Sequence, residues 1–169
     1  MSGERDRILL LGYGNPGRFD DGLGPALADA MAARNIDNVT VESDYQLHVE
    51  DAVRIAEHDI VVFADAAVSG PEPYALRRVA PGGEVSFSTH SVSPGALLAL
   101  ARDHFQADTA GWLLAVRGYT FDGFGEGLSA SATKNLDAAV TFLAECLTQG
   151  DFREVEPNGE RLQKGRTPS

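Results

Sequence analysis

The 169-residue chain has one cysteine, Cys146, two methionines and one tryptophan. A single cysteine excludes an intramolecular disulfide and any metal cluster built on cysteine ligands. No stretch reaches the ~20 consecutive apolar residues that a membrane span requires. The charged start MSGERDR runs straight into an apolar segment, with neither a signal-peptide core nor a small-residue cleavage site. A cytoplasmic location is therefore expected. Basic residues are scarce: 14 Lys and Arg stand against 25 Asp and Glu, giving a net charge of −11 and a pI near 4.6. Such a field repels polyanions and no basic cluster offsets it, so neither nucleic acid nor a membrane is an expected partner.

The residues that are present are those of an ordinary globular protein, with 43% hydrophobic and 23% charged side chains. The length suits one domain rather than two. Apolar runs alternate with helical patterns, which predicts an α/β fold: a single domain with a mostly parallel central sheet and helices on both faces. ILLLG (8–12), VTVES (39–43), IVVFADA (60–66) and WLLAVRGYTF (112–121) read as strands, and EVSFSTH (84–90) as a short extended piece. Helices are predicted over 23–34, 46–58, 93–105 and 129–147. Pro25 and Pro94 suit first turns, and Ser93 and Ser129 or Ser131 suit caps. Cys146 falls beside Leu143 and Leu147 in the last of these and reads as a buried small hydrophobe. After Gly150 the chain turns polar and loses periodicity. The domain is accordingly expected to span 1–150, with 151–169 a disordered tail.

The stretch RILLLGYGNPGRFDDGLG, residues 7–24, carries Gly12, Gly14 and Gly17 in the G-x-G-x-x-G pattern of a dinucleotide-binding turn. Two features oppose a nucleotide. Pro16 has no N–H to offer a phosphate, and Asp20 and Asp21 would repel one by roughly 3 kcal/mol per charge pair at about 5 Å and an effective dielectric near 20. Read as ordinary structure, Asp21 is a helix N-cap and Asp20 a solvated loop charge.

In an open parallel sheet, sites form beyond the carboxyl ends of the strands. Asp20 and Asp21 follow the first strand, Asp65 closes IVVFAD, and His90 closes EVSFSTH. An aspartate directly after several buried apolar residues needs solvation, hydrogen bonds or a cation to offset desolvation. Read as ordinary structure, Asp65 is a turn residue and His90 a hydrogen-bonded loop histidine. Two carboxylates and an imidazole suit a borderline divalent ion such as nickel, zinc or manganese, and the chemistry alone does not choose among them. His48, His58 and His104 are weaker candidates; the last two fall near helix ends. Neither a G-x-S-x-G elbow nor an H-E-x-x-H or C-x-x-C spacing occurs.

Taken in order, GYGNPGRFDDGLGPALADAM, DIVVFADAAVSG, STHSVSPGALLALA and the GLS at 127–129 resemble the hydrogenase maturation endopeptidases over residues 7–147. The resemblance implies a cytosolic α/β protease that removes a short C-terminal extension from the [NiFe]-hydrogenase large-subunit precursor after nickel insertion. It maps the metal-contacting and catalytic trio onto Asp21, Asp65 and His90, with Asp20 as a supporting acid. The nickel would be supplied by the substrate, both as recognition element and as Lewis acid. Two departures stand out: Asp21 is often glutamate in relatives, and SDYQLHVEDA replaces the Gly-Gly that some carry after the second strand, leaving Gln46 and His48 as lining candidates. Two other readings stay open. GNPG also opens the signature of peptidyl-tRNA hydrolases, although Asp-Asp-Gly then departs from that family. A non-enzymatic metal- or nucleotide-binding module could also use the Gly-rich loop.

Overall fold

The computed structural model describes residues 5–82, 92–156 and 160–161. Strand β1 (Ile8–Tyr13) is followed by a 3-10 turn (Phe19–Gly22) and α1 (Leu23–Arg34). Then come β2 (Val39–Asp44), α2 (Asp51–Ala56), β3 (Ile60–Ala67) and β4 (Tyr74–Val79). Helix α3 (Pro94–Phe105), β5 (Ala110–Arg117) and α4 (Ala130–Gln149) precede two short strands, β6 (Val155–Glu156) and β7 (Glu160–Arg161).

The sheet order is β2-β1-β3-β5-β4-β6-β7. β2, β1, β3 and β5 run parallel, β4 pairs antiparallel with β5, and β6 and β7 continue antiparallel beyond it. Side-chain alternation along β1 and β3 feeds two cores. Ile8, Leu10, Ile60 and Val62 pack with Leu27 and Met31 of α1 and Leu143 and Leu147 of α4. Leu9, Leu11, Val61 and Phe63 face Ile55 of α2 and Leu97 and Ala101 of α3. Strands buried on both faces need uninterrupted apolar sequence, which is why ILLLG and IVVF carry no polar residue. Each fully buried Leu, Val or Phe contributes roughly 1.5–3 kcal/mol. Cys146 is buried in the first core, as its pattern predicts.

The structure differs from the sequence reading in four places, one being β5, expected over 112–121 and found at Ala110–Arg117. β4 was not foreseen. Helix α2 begins at Asp51 rather than near 46, because the Asp51 carboxylate turns back to accept the His48 N–H at 2.8 Å and sets the start there. Residues 151–156, expected to belong to a disordered tail, instead pack on the sheet. Phe152 stacks on Trp112 with ring centroids 5.9 Å apart, and buried Val155 pairs with Leu76. The extended piece expected at 84–90, His90 included, lies outside the described residues.

Candidate active site

The glycines of the opening motif serve close packing. A Cβ on Gly24 would sit 2.3 Å from the Tyr13 carbonyl oxygen and 2.6 Å from that of Ala64. Helix α1 therefore starts directly on the ends of β1 and β3. Gly14, at φ +142°, lets the Asp21 carbonyl approach to where a Cβ would be only 2.0 Å away. These approaches hold the acidic loop over the carboxyl edge of the sheet.

The N–H groups of the loop are used internally. Gly14 N–H donates to the Asp44 carbonyl, Asn15 N–H to the Asp21 carboxylate at 2.7 Å, Gly17 N–H to Asn15 Oδ1 at 2.8 Å, and Arg18 N–H to the Asn15 carbonyl. Pro16 has none. These N–H groups are not open to a phosphate, so the glycine pattern marks packing and not a nucleotide cradle. Asp21 is not a helix cap either. Gly22 occupies that position, and the Asp21 side chain instead ties the turn together.

Asp20 and Asp21, adjacent in sequence, have opposite fates. Asp20 is wholly buried and accepts four hydrogen bonds: Tyr119 N–H at 2.7 Å, Thr120 N–H at 2.9 Å, and the N–H and hydroxyl of Ser129, each at 2.7 Å. Burial alone would raise its pKa, but the Ser129, Thr120 and Tyr119 N–H groups together with the Ser129 hydroxyl outweigh it and hold the carboxyl below its ordinary value. Asp20 is thus neither a solvated charge nor an open ligand. It fastens the 118–129 segment to the acidic loop, assisted by backbone bonds between Phe19 and Gly125 and between Gly125 and Gly17.

Asp65 stands at the end of β3, directly beyond fully buried Phe63 and Ala64. Its Oδ1 accepts the Ala66 N–H at 2.8 Å. Desolvation pushes its pKa up to about 6; the Asp21 charge adds to the rise, while the Ala66 N–H and the Tyr13 hydroxyl pull the other way. Asp21, on the loop after β1, and Asp65, at the end of β3, both stand at the carboxyl edge of the sheet, near enough for the Asp21 charge to act on Asp65. Among the described residues no Lys or Arg forms an ion pair with either. A pair of neighbouring carboxylates without a counter-cation is chemically poised for a proton or a metal ion.

His90 lies outside the described residues, and among those described no three-residue group of His, Cys, Asp or Glu forms a complete metal cluster. The other histidines are elsewhere engaged. His48 Nε2 meets the Asp44 carboxylate at 3.1 Å, and His58 bonds the Arg54 carbonyl at 2.6 Å. His104 sits in the last turn of α3. A cleft of about 220 Å³ beside the acidic loop is lined by Gly14, Pro16, Pro25, Ser43, Asp44 and Tyr45. Around this edge Tyr45, Val68 and Phe124, from the loops after β2, β3 and β5, are 69%, 69% and 85% exposed. A cavity of about 300 Å³ at the opposite end of the sheet, between Ile8 and the end of α4, is remote from these acids. Gln46 lines a small recess with Tyr13 and Asp44. Sequence reasoning missed Tyr13; the one signal available was an aromatic residue lodged between two packing glycines at a strand end.

This architecture, a doubly covered and mostly parallel sheet, is shared with solved structures of hydrogenase maturation proteases. Among solved structures, the [NiFe] hydrogenase maturation protease HycI from Thermococcus kodakarensis KOD1 is similar with a TM-score of 0.66 and 24% identity, covering 83% of this chain and 92% of that one. The hydrogenase maturating endopeptidase HybD from E. coli gives a TM-score of 0.66 and 20% identity over 89% of this chain and 97% of its own. The endopeptidase HycI from Escherichia coli gives 0.64 and 18% over 95% and 99%. No family model and no curated sequence matches the chain.

Proposed function

We propose that the protein is an endopeptidase that removes the C-terminal extension of a nickel-loaded [NiFe]-hydrogenase large-subunit precursor in the cytoplasm. The observation that carries this reading is the uncompensated pair of Asp21 and Asp65 at the carboxyl edge of the sheet. The shared fold with maturation proteases supports it.

Two adjacent carboxylates repel each other when both ionise, and a cation between them converts that repulsion into attraction. If the cation arrives already seated in the substrate, the protease binds productively only to a loaded precursor. Nickel is then part of the substrate, and Asp21, Asp65 and His90 supply oxygen, oxygen and nitrogen donors toward it, a set suited to a borderline divalent ion. Such an ion polarises a nearby carbonyl or water. The exposed Tyr45, Val68 and Phe124 provide apolar surface around the edge for the peptide on either side of the scissile bond. The nucleotide-module reading has no support in the loop, whose N–H groups are internally bonded.

The test is incubation with nickel-loaded and nickel-free precursor, followed by mass spectrometry of the large subunit. Wild-type protein shortens the loaded precursor alone, and Asp21→Ala, Asp65→Ala and His90→Ala leave it intact. Full processing by the three variants, or no processing by the wild type, overturns the reading.

A further inference from the structure

We propose that Tyr13 is a positioning residue for Asp65, its hydroxyl donating to the carboxylate from the neighbouring strand and fixing the orientation in which that carboxylate meets the substrate. The inference rests on the endopeptidase reading of the Asp21 and Asp65 site.

The placement follows from strand register. β1 and β3 are parallel with Gly12 opposite Ala64, so the next residues, Tyr13 and Asp65, emerge side by side on one face at the carboxyl edge. Tyr13 also stands opposite Asp44 of β2. The three strand ends thus present Asp44, Tyr13 and Asp65 in a row, with the phenol in the middle. Asp44 is already engaged by the Tyr45 N–H and by His48. Among the described residues the short donor to Asp65 is the Ala66 N–H on Oδ1, which alone does not hold a carboxylate against rotation. The phenol is half-buried, packs against the second core at that strand end, and its hydroxyl reaches the Asp65 carboxylate; a phenol is a donor at neutral pH.

A carboxylate with like charge beside it swings away unless a donor opposes the swing. A neutral phenol supplies that donor without adding a positive charge, so the pair of acids keeps its appetite for a cation. Partners that orient a ligating carboxylate typically change affinity or rate by roughly 10–100-fold when removed.

The experiment uses the full chain and the nickel-loaded precursor. Tyr13→Phe keeps the ring and deletes the hydroxyl. The expected result is a single-turnover cleavage rate lower by roughly 10–100-fold, with the half-saturating protease concentration and Tm unchanged. A purely structural role would move Tm and leave the rate per folded molecule alone. Asp65→Asn is run beside it. Wild-type cleavage by Tyr13→Phe next to an inactive Asp65→Asn overturns this inference alone; full cleavage by Asp65→Asn removes the site reading and the inference with it. Should Tyr13→Phe be unstable, a Tyr13→Met variant of equal or lower Tm but near wild-type rate also overturns the role of the hydroxyl.

Discussion

Asp20 and Ser129 are 109 residues apart, and the carboxylate takes both the N–H and the hydroxyl of the serine at 2.7 Å. The same serine hydroxyl accepts the Ala132 N–H as the N-cap of α4. One buried anion thereby joins the acidic loop, the segment after β5 and the start of the last helix.

Asp20→Asn keeps the shape but replaces an acceptor-only group with an amide whose NH₂ faces N–H donors. A loss of about 2–4 kcal/mol is expected in urea unfolding at pH 7, since bonds to a charged group contribute roughly 1.5–3 kcal/mol and a mismatched donor adds to the loss. The wild-type carboxyl titrates below its ordinary value in the folded state. Its stabilisation is therefore full above the unfolded pKa of about 4 and is lost as pH falls through the lower folded value. The gap between wild type and variant should narrow below about pH 4; a gap independent of pH would contradict the assignment.

Asp65 behaves in the opposite sense. Its folded pKa of about 6 lies above the ordinary 3.8, so folding favours the protonated acid. The contribution is full below about pH 4 and is lost as pH rises through 6. Asp65→Asn mimics the protonated form and should be the more stable protein at pH 8, by up to roughly 2–3 kcal/mol or about 5 °C in Tm, while failing to cleave precursor. Thermal melts of both proteins at pH 3.5, pH 5 and pH 8 check this: the difference is expected to be smallest at pH 3.5, about half of its full size at pH 5 and complete at pH 8.

How much of this was visible in the sequence depends on where the deciding partner lies. ILLLG and IVVF announce doubly buried strands by composition alone, and Ser93 and Ser129 cap α3 and α4 through donors three residues away. β4 was illegible because Pro71 and Pro73 precede it and Arg77 and Arg78 interrupt its apolar face. Tyr74 and Leu76 are buried only because Phe142 of α4 and Val155 of β6 cover them. Asp20 and Asp21 could not be told apart for the same reason. Their local contexts are nearly identical, and the donors that claim Asp20 are 99, 100 and 109 residues downstream. Asp21 and Asp65 were legible as candidates because strand ends collect in space once the sheet is parallel.

The packing glycines yield a third expectation. A methyl group on Gly24 would meet the Tyr13 and Ala64 carbonyl oxygens at 2.3 and 2.6 Å, both backbone atoms that cannot rotate away. Gly24→Ala must lift α1 from the strand ends, carrying Asp21 with it. A destabilisation of about 3 kcal/mol or more is expected, against the small gain that alanine gives at an open helical position. Gly150→Ala, where a Cβ would meet nothing, strains only its left-handed φ of +67° and should lose about 1 kcal/mol in the same melt. Equal effects at the two positions would contradict the close-packing account.

The last expectation concerns the segment after α4. Ending the chain at Gly150 removes the Phe152 ring from Trp112, the Val155 side chain from the first core, and the Glu154 and Glu156 contacts to the Arg78 N–H and the Arg77 guanidinium. The two charged contacts are exposed and contribute little. The apolar burial is the larger part, at roughly 1.5–3 kcal/mol for each well-buried side chain less what partial exposure of Phe152 forgoes. A drop of about 2–4 kcal/mol is therefore expected for the truncated protein, and Trp112, the single tryptophan, reports it directly through a red-shifted emission maximum. Removing the stretch also uncovers the outer edge of β4 with its unpaired backbone groups, so the truncated chain should associate in a concentration-dependent way that the full chain does not. Light scattering across a dilution series reads this, and a monomeric truncation with unaltered Tm and tryptophan emission would show that residues 151–156 add nothing to the sheet.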